Sequence, residues 1–177
     1  MRTLRLSLVG VVALALLGGL GASAAGESGG GVPPEATRVT GTSEIGAYQV
    51  GDITMVGDTI QMRDGFLTFH DDMSDPRISG LWVMTWNYDG LGSDTVGPMW
   101  GTSRLENDGG AWEGTWSGVL YPPDRDAEAG WFVGEGGYEG LTYYSLSTGA
   151  DGAATVEGLI FEGDPPPIFA KQAPTSE

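Results

Sequence analysis

The chemistry open to this chain rests on carboxylates and indoles, because it has no cysteine and a single histidine. That histidine stands in His70-Asp71-Asp72. A zinc site needs three or four converging ligands, whereas strand alternation sends His70 and Asp72 to one face and Asp71 to the other. The triplet therefore reads as the polar end of a strand before the turn at Asp75-Pro76. Ser-His-acid catalysis would have to recruit the same histidine, and cysteine nucleophiles are excluded. Asp124, Asp126 and Glu128 offer oxygen ligands of the kind calcium takes. They lack the glycine and distal glutamate of an EF-hand and include Arg125, so they read first as a solvated loop, as do Asp89 and Asp94 in YDGLGSD. Glu113 and Glu139 have the residue types of a glycosidase pair. Alternation places Glu113 opposite the tryptophan face, which points both acids outward toward partners such as Arg104. The sequence thus singles out no catalytic residue, no metal site and no cofactor.

The indoles remain. The chain has six tryptophans, and Trp82, Trp86, Trp112 and Trp116 fall at every fourth residue of two strand-like stretches. They either fill a core or line a lumen that stays open to a small hydrophobic or aromatic molecule, with indole N–H groups as polar handles. Rings facing solvent would instead suit the face of a sugar.

Strands must position these rings. Turn signals recur every ten to fifteen residues or so and hardly any window carries a helical apolar period, a spacing that points to an all-β chain. The expected strands are 38–46, 66–72, 78–88, 98–107, 110–121, 129–136, 139–148 and 154–162. Residues 47–65 read either as a further short hairpin or as a loop across one mouth of the sheet. Side chains two apart share a strand face, so Ile78, Gly80, Trp82, Met84, Trp86 and Tyr88 lie together. Trp112, Gly114, Trp116, Gly118 and Leu120 do the same, with Glu113, Thr115 and Ser117 opposite. Glycines between the rings give them clearance and let a closing sheet bend. Trp112-Glu113-Gly114 returns as Tyr138-Glu139-Gly140, 26 residues later. That interval fits units starting strands of the same direction, two apart around a sheet. Sequential turns with no long crossover favour a single antiparallel, roughly eight-stranded closed barrel, with a β-sandwich as the alternative.

The chain's ends have another character. Arg2 and Arg5 precede an apolar run from Leu6 to Leu20, and Ala22-Ser23-Ala24 supplies the small residues of a cleavage site. Residues 1–24 therefore read as a signal peptide cleaved near Ala24, and the product as secreted and extracellular. The apolar run is short for a stable membrane anchor, and no cysteine exists for lipid attachment. Residues 25–37 and 164–177, rich in Gly and Pro, read as flexible segments around one barrel domain, 38–163. Loss of Arg2 and Arg5 leaves six basic and 24 acidic residues, a net charge of −18. Such a surface repels nucleic acid and anionic headgroups and favours solubility.

Three stretches carry a resemblance. MSDPRISG (73–80), WGTSRLENDGGAWEGTWSG (100–118) and GEGGYEGLTYY (134–144) resemble segments of uncharacterised secreted bacterial proteins. The last is also similar to a turn-and-strand segment of the allene oxide cyclase and dirigent barrel superfamily. The resemblance implies an eight-stranded barrel with an apolar lumen, often assembled into dimers or trimers, so a homo-oligomer is among the expected states. It carries no catalytic residue onto this chain. The leading expectation is a non-enzymatic barrel that binds a small hydrophobic molecule or serves as a stable extracellular scaffold. A cyclase- or isomerase-like enzyme steering a substrate in the lumen is the first alternative, and a surface adhesion or interaction module the second.

Overall fold

The computed structural model describes residues 36–92, 96–121 and 123–166. The expected signal peptide and the tail beyond residue 166 lie outside them. Nine strands follow one another: β1 (Thr37–Gln49), β2 (Asp52–Val56), β3 (Thr59–Met73), β4 (Gly80–Leu91), β5 (Gly97–Asn107), β6 (Gly110–Tyr121), β7 (Arg125–Gly136), β8 (Leu141–Ala150) and β9 (Ala153–Glu162). All pairings are antiparallel, in the order β1-β9-β8-β7-β6-β5-β4-β3, and β1 also pairs with β3 from Gly41↔Met73 onward. That last ladder closes the sheet. The protein is an eight-stranded antiparallel barrel with β2 as one extra strand on β3, and the sandwich alternative fails because the sheet meets itself.

Local chemistry explains where strands start. The strand expected from residue 78 begins at Gly80, because Asp75 caps a 3-10 turn at Pro76–Ile78. Its carboxylate accepts from the Arg77 backbone N–H at 2.9 Å and pairs with the Arg77 guanidinium at 2.7 Å. Asp75→Ala removes both contacts and should cost about 1 kcal/mol, read by urea unfolding. β7 begins at Arg125 rather than 129. Tyr121 already pairs with Arg125, so the connection expected to be long is only residues 122–124, with Pro122 outside the described residues and Asp124 at φ 38°. β8 begins at Leu141 rather than 139, since Gly140, at φ 80°, belongs to the preceding turn.

Of residues 47–65, 47–49 end β1 and 52–65 form a hairpin. β2 runs out along the first part of β3, with Asp52↔Arg63 and Val56↔Thr59 in register. A bulge between Met62 and Gly65, with Asp64 at φ 56°, interrupts the alternation of β3 there.

The barrel has unlike ends. At one, the 3-10 turn and the β7–β8 turn form a plug around Ile78, Leu105, Trp112 and Ile160, all essentially inaccessible. The Arg77 carbonyl accepts from Trp112 Nε1 at 2.8 Å and from Asn107 Nδ2 at 3.0 Å, while the Tyr138 hydroxyl donates to Asn107 Oδ1 at 2.6 Å. The Trp112 and Tyr138 rings stack with centroids 5.2 Å apart. These are the aromatic members of the repeated aromatic-Glu-Gly unit. The repeat does precede and occupy strands of one direction, β8 and β6, with β7 between them; but Tyr138-Glu139-Gly140 lies in the turn and turns its ring back onto the first copy. At the other end the lumen is open, and its lining reaches the β6–β7 and β8–β9 turns at Asp124 and Gly152.

Candidate functional site

Inside the open half of the barrel lies a cavity of about 300 Å³, at the lower bound for small-molecule sites. Two arcs of strands line it. On one, β4 contributes Trp82, Met84 and Trp86, β5 Met99, β6 Trp116 and β7 Phe132. On the other, β3 contributes Asp71, β1 Ser43, β8 Ser145 and Ser147, and β7 Asp126 and Glu128.

The ring arc follows from the strand parity read in the sequence, and the glycines do give clearance, chiefly across strands. Trp116 pairs with Gly101, where an added Cβ would stand 2.9 Å from the indole Nε1; at Gly158 it would stand 2.6 Å from the Tyr143 ring. Trp82 packs on Phe132, with centroids 4.8 Å apart, and Trp86 on Tyr48 at the mouth, 5.7 Å apart. Three of the four singled-out tryptophans, Trp82, Trp86 and Trp116, therefore share the cavity. Trp112 does not line it. It is held in the plug, where the Arg77 carbonyl takes its N–H and leaves no polar handle for a ligand. Trp100 and Trp131 sit on the outer side, against Arg63 and against Tyr144 and Phe161.

The polar arc includes residues read in the sequence as solvated. Asp126 and Glu128 are strand residues that point into the lumen, in line with Gly130 and Phe132 on the same face of β7. Asp71 points inward from β3 while His70 and Asp72 are exposed, which is the split that alternation predicts. Burial pushes the Asp71 carboxyl up to about 6, against the Ser43 hydroxyl, the Trp82 indole and the charge of His70, all of which favour its anion. Burial pushes Glu128 up to about 8; the neighbouring charges of Asp126 and Asp71 add to this, and the Ser147 hydroxyl opposes it. Asp126 is raised by burial, and the Tyr143 phenol by burial and by Asp71. Near neutrality the lumen thus pairs an ionised Asp71 with a protonated Glu128.

Two indole nitrogens here, those of Trp86 and Trp116, have no hydrogen-bond partner, while the Trp82 indole faces the Asp71 carboxylate. Trp116 is only 4 % exposed. Buried donors without acceptors are uncommon in folded proteins, and these border empty space.

The remaining candidate acids have structural partners. Arg104 on the outer wall contacts Glu113 at 2.6 Å, Glu106 at 2.8 Å and Glu135 at 3.0 Å, so Glu113 has the arginine partner expected of it, while Glu139 is exposed in its turn. Asp89 pairs with Arg63 at 2.7 Å, and Asp94 lies outside the described residues. Among the described residues no group of three or more His, Asp or Glu is placed to hold a metal ion.

Fold and cavity together define a closed antiparallel barrel with one plugged end, one open end and a ring-lined lumen. No known protein family, curated protein or solved structure matches the chain.

Proposed function

We propose that this protein is an exported barrel that binds a small, largely apolar or aromatic molecule in its lumen. One observation carries the reading: the 300 Å³ cavity is bordered by three indoles, and the N–H groups of two of them, Trp86 and Trp116, have no partner. A core packed only for stability would fill that space, since voids of this size forfeit dispersion contacts. It would also leave fewer buried donors unpaired. The leader-like residues 1–24 support export, and the likeness of GEGGYEGLTYY to the allene oxide cyclase and dirigent barrels is in keeping with an apolar lumen.

The test is a panel of fatty acids, terpenoids and phenolics, followed by tryptophan fluorescence and thermal melting. A ligand of the lumen quenches the cavity indoles and raises the melting temperature as its concentration rises, because it binds only the folded state. Trp116→Phe should weaken that ligand while the fold persists. Silence across the panel in both measurements refutes the reading and leaves a scaffold.

A second reading has its own observation. Asp71 and Glu128 face one apolar space with raised pKa values of about 6 and about 8, the condition for a base and an acid working near neutral pH. Turnover of a polyunsaturated epoxide or coupling of a phenoxyl radical, lost in Glu128→Gln, would establish a cyclase- or isomerase-like enzyme.

A further inference from the structure

The lumen gathers carboxyl groups without a countercharge. Asp71 enters from β3 and Asp126 and Glu128 from β7, and no Lys, Arg or His is among the described residues that line the cavity. The arginines of the surrounding wall are engaged elsewhere: Arg38 with Glu157, Arg63 with Asp89, Arg77 with Asp75 and Arg104 with its three glutamates. Arg125 lies over the Tyr121 ring. Withdrawing carboxylates from water without a cation is unfavourable, yet three strand positions on two different strands place them around the same space.

Two independent features point to what would fill that space. The indole N–H of Trp116, more than nine-tenths buried, lacks an acceptor. The cavity wall beside the acids also presents aromatic faces, whose electron-rich centres attract cations. Resting on the reading of the lumen as a ligand site, we infer that the ligand is an organic cation: a protonated amine on a small aromatic or apolar body that also carries an oxygen acceptor. The ammonium sits against Asp71 and Glu128, the body packs on Trp82, Trp86 and Trp116, and the oxygen accepts from an indole N–H. A neutral analogue keeps the ring packing and loses only the charge pairing. An anionic analogue meets repulsion.

The pH dependence has a definite sign. The titratable groups facing the cavity are Asp71 from β3, Asp126 and Glu128 from β7, Asp124 from the β6–β7 turn, Tyr143 from β8 and Tyr48 from β1; the lining residues of β4, β5, β6 and β9 do not titrate. His70 stands on the outer face. As pH rises through about 6 and then about 8, Asp71 and Glu128 ionise, while an alkylamine keeps its proton. Preference for the amine over its neutral analogue therefore grows across that window and fades in acid.

The probes are tyramine, its alcohol analogue tyrosol and the anionic 3-(4-hydroxyphenyl)propanoate, titrated calorimetrically into the protein at pH 8.5 and pH 5. Tyramine should bind at least tenfold more tightly than tyrosol at pH 8.5, equivalent to about 1.4 kcal/mol. The two should approach parity at pH 5, with the propanoate weakest in alkali. Asp71→Asn and Glu128→Gln should each reduce the preference, with circular dichroism and melting curves showing that the variants fold. Equal binding of amine and alcohol at pH 8.5, or a preference that survives both substitutions, overturns the cation inference and leaves the lumen reading standing. Failure of all three probes alongside binding by another member of the apolar panel also overturns the cation alone. Failure of everything overturns both.

Discussion

Replacing Trp112 with alanine is expected to lower the unfolding free energy by about 4 kcal/mol, the range for deleting a buried tryptophan. The ring is completely inaccessible and stacks on Tyr138 at 5.2 Å, and it meets Tyr143 edge-on at 6.0 Å. Its N–H also ties β6 to the 3-10 turn through the Arg77 carbonyl. Removing it hollows the plug, and stacked rings around the hole can collapse into it only in part. Trp112→Phe retains most of the ring contact and gives up the hydrogen bond, for a loss of about 1 kcal/mol. The informative contrast is Trp86→Ala. Trp86 is partly exposed and borders space that is already empty, so its deletion removes fewer contacts and should cost clearly less than that of Trp112. Urea unfolding followed by circular dichroism orders the three variants. Equal losses for Trp112→Ala and Trp86→Ala would mean that the two ends of the barrel are not packed differently, against the picture of a plug and an open lumen.

The parity of the tryptophan strands was legible because it depends only on neighbours two residues away. Trp82, Met84, Trp86 and Tyr88 face inward as their spacing requires, and so do Trp112 and Trp116, with Glu113 outside on Arg104. Closure was legible for a related reason, since short turns such as Asp151-Gly152, with both residues at positive φ, force adjacent strands to pair. What parity does not give is height along the barrel. Trp112 and Trp116 look alike in sequence, yet one is sealed by Arg77 and Tyr138 and the other borders the cavity. Only the folding of two distant turns across one end tells them apart. The lumenal acids were hidden by composition: Asp124, Asp126 and Glu128 after two prolines look like solvated loop residues, and the cost of burying carboxylates argues against placing them inside. Their signal was the same parity, counted backward from Phe132 through Gly130 to Glu128 and Asp126. The hairpin over residues 52–65 was ambiguous because the bulge at Asp64 breaks the alternation by which a strand is recognised.

Glu128→Gln is expected to stabilise the protein in mild alkali by about 2 kcal/mol and to change little in acid. The folded state holds the Glu128 proton up to about pH 8, against an ordinary value of 4.5. Between those two values the folded chain binds a proton that the unfolded chain has already released, so stability falls as pH rises through the window and levels off above it. A shift of this size corresponds to about 5 kcal/mol at full effect. Water entering the open mouth and relaxation around the carboxylate reduce what is realised, hence the smaller expectation. Asp71 adds a change of the same sign at lower pH, between its ordinary 3.8 and about 6. Asp75 acts in the opposite sense: its hydrogen bonds to Arg77 hold its pKa down, so its contribution is present above the ordinary carboxylate range and is lost as pH falls. The difference between wild type and Glu128→Gln cancels Asp75 and the self-repulsion of the acidic surface. Melting curves of both proteins from pH 4 to pH 9 should therefore separate progressively above about pH 5, with the variant higher. A constant offset at every pH would place the carboxyl in water rather than in the lumen. A separation that closes when tyramine is added would show the cation supplying from outside the countercharge that the barrel wall lacks.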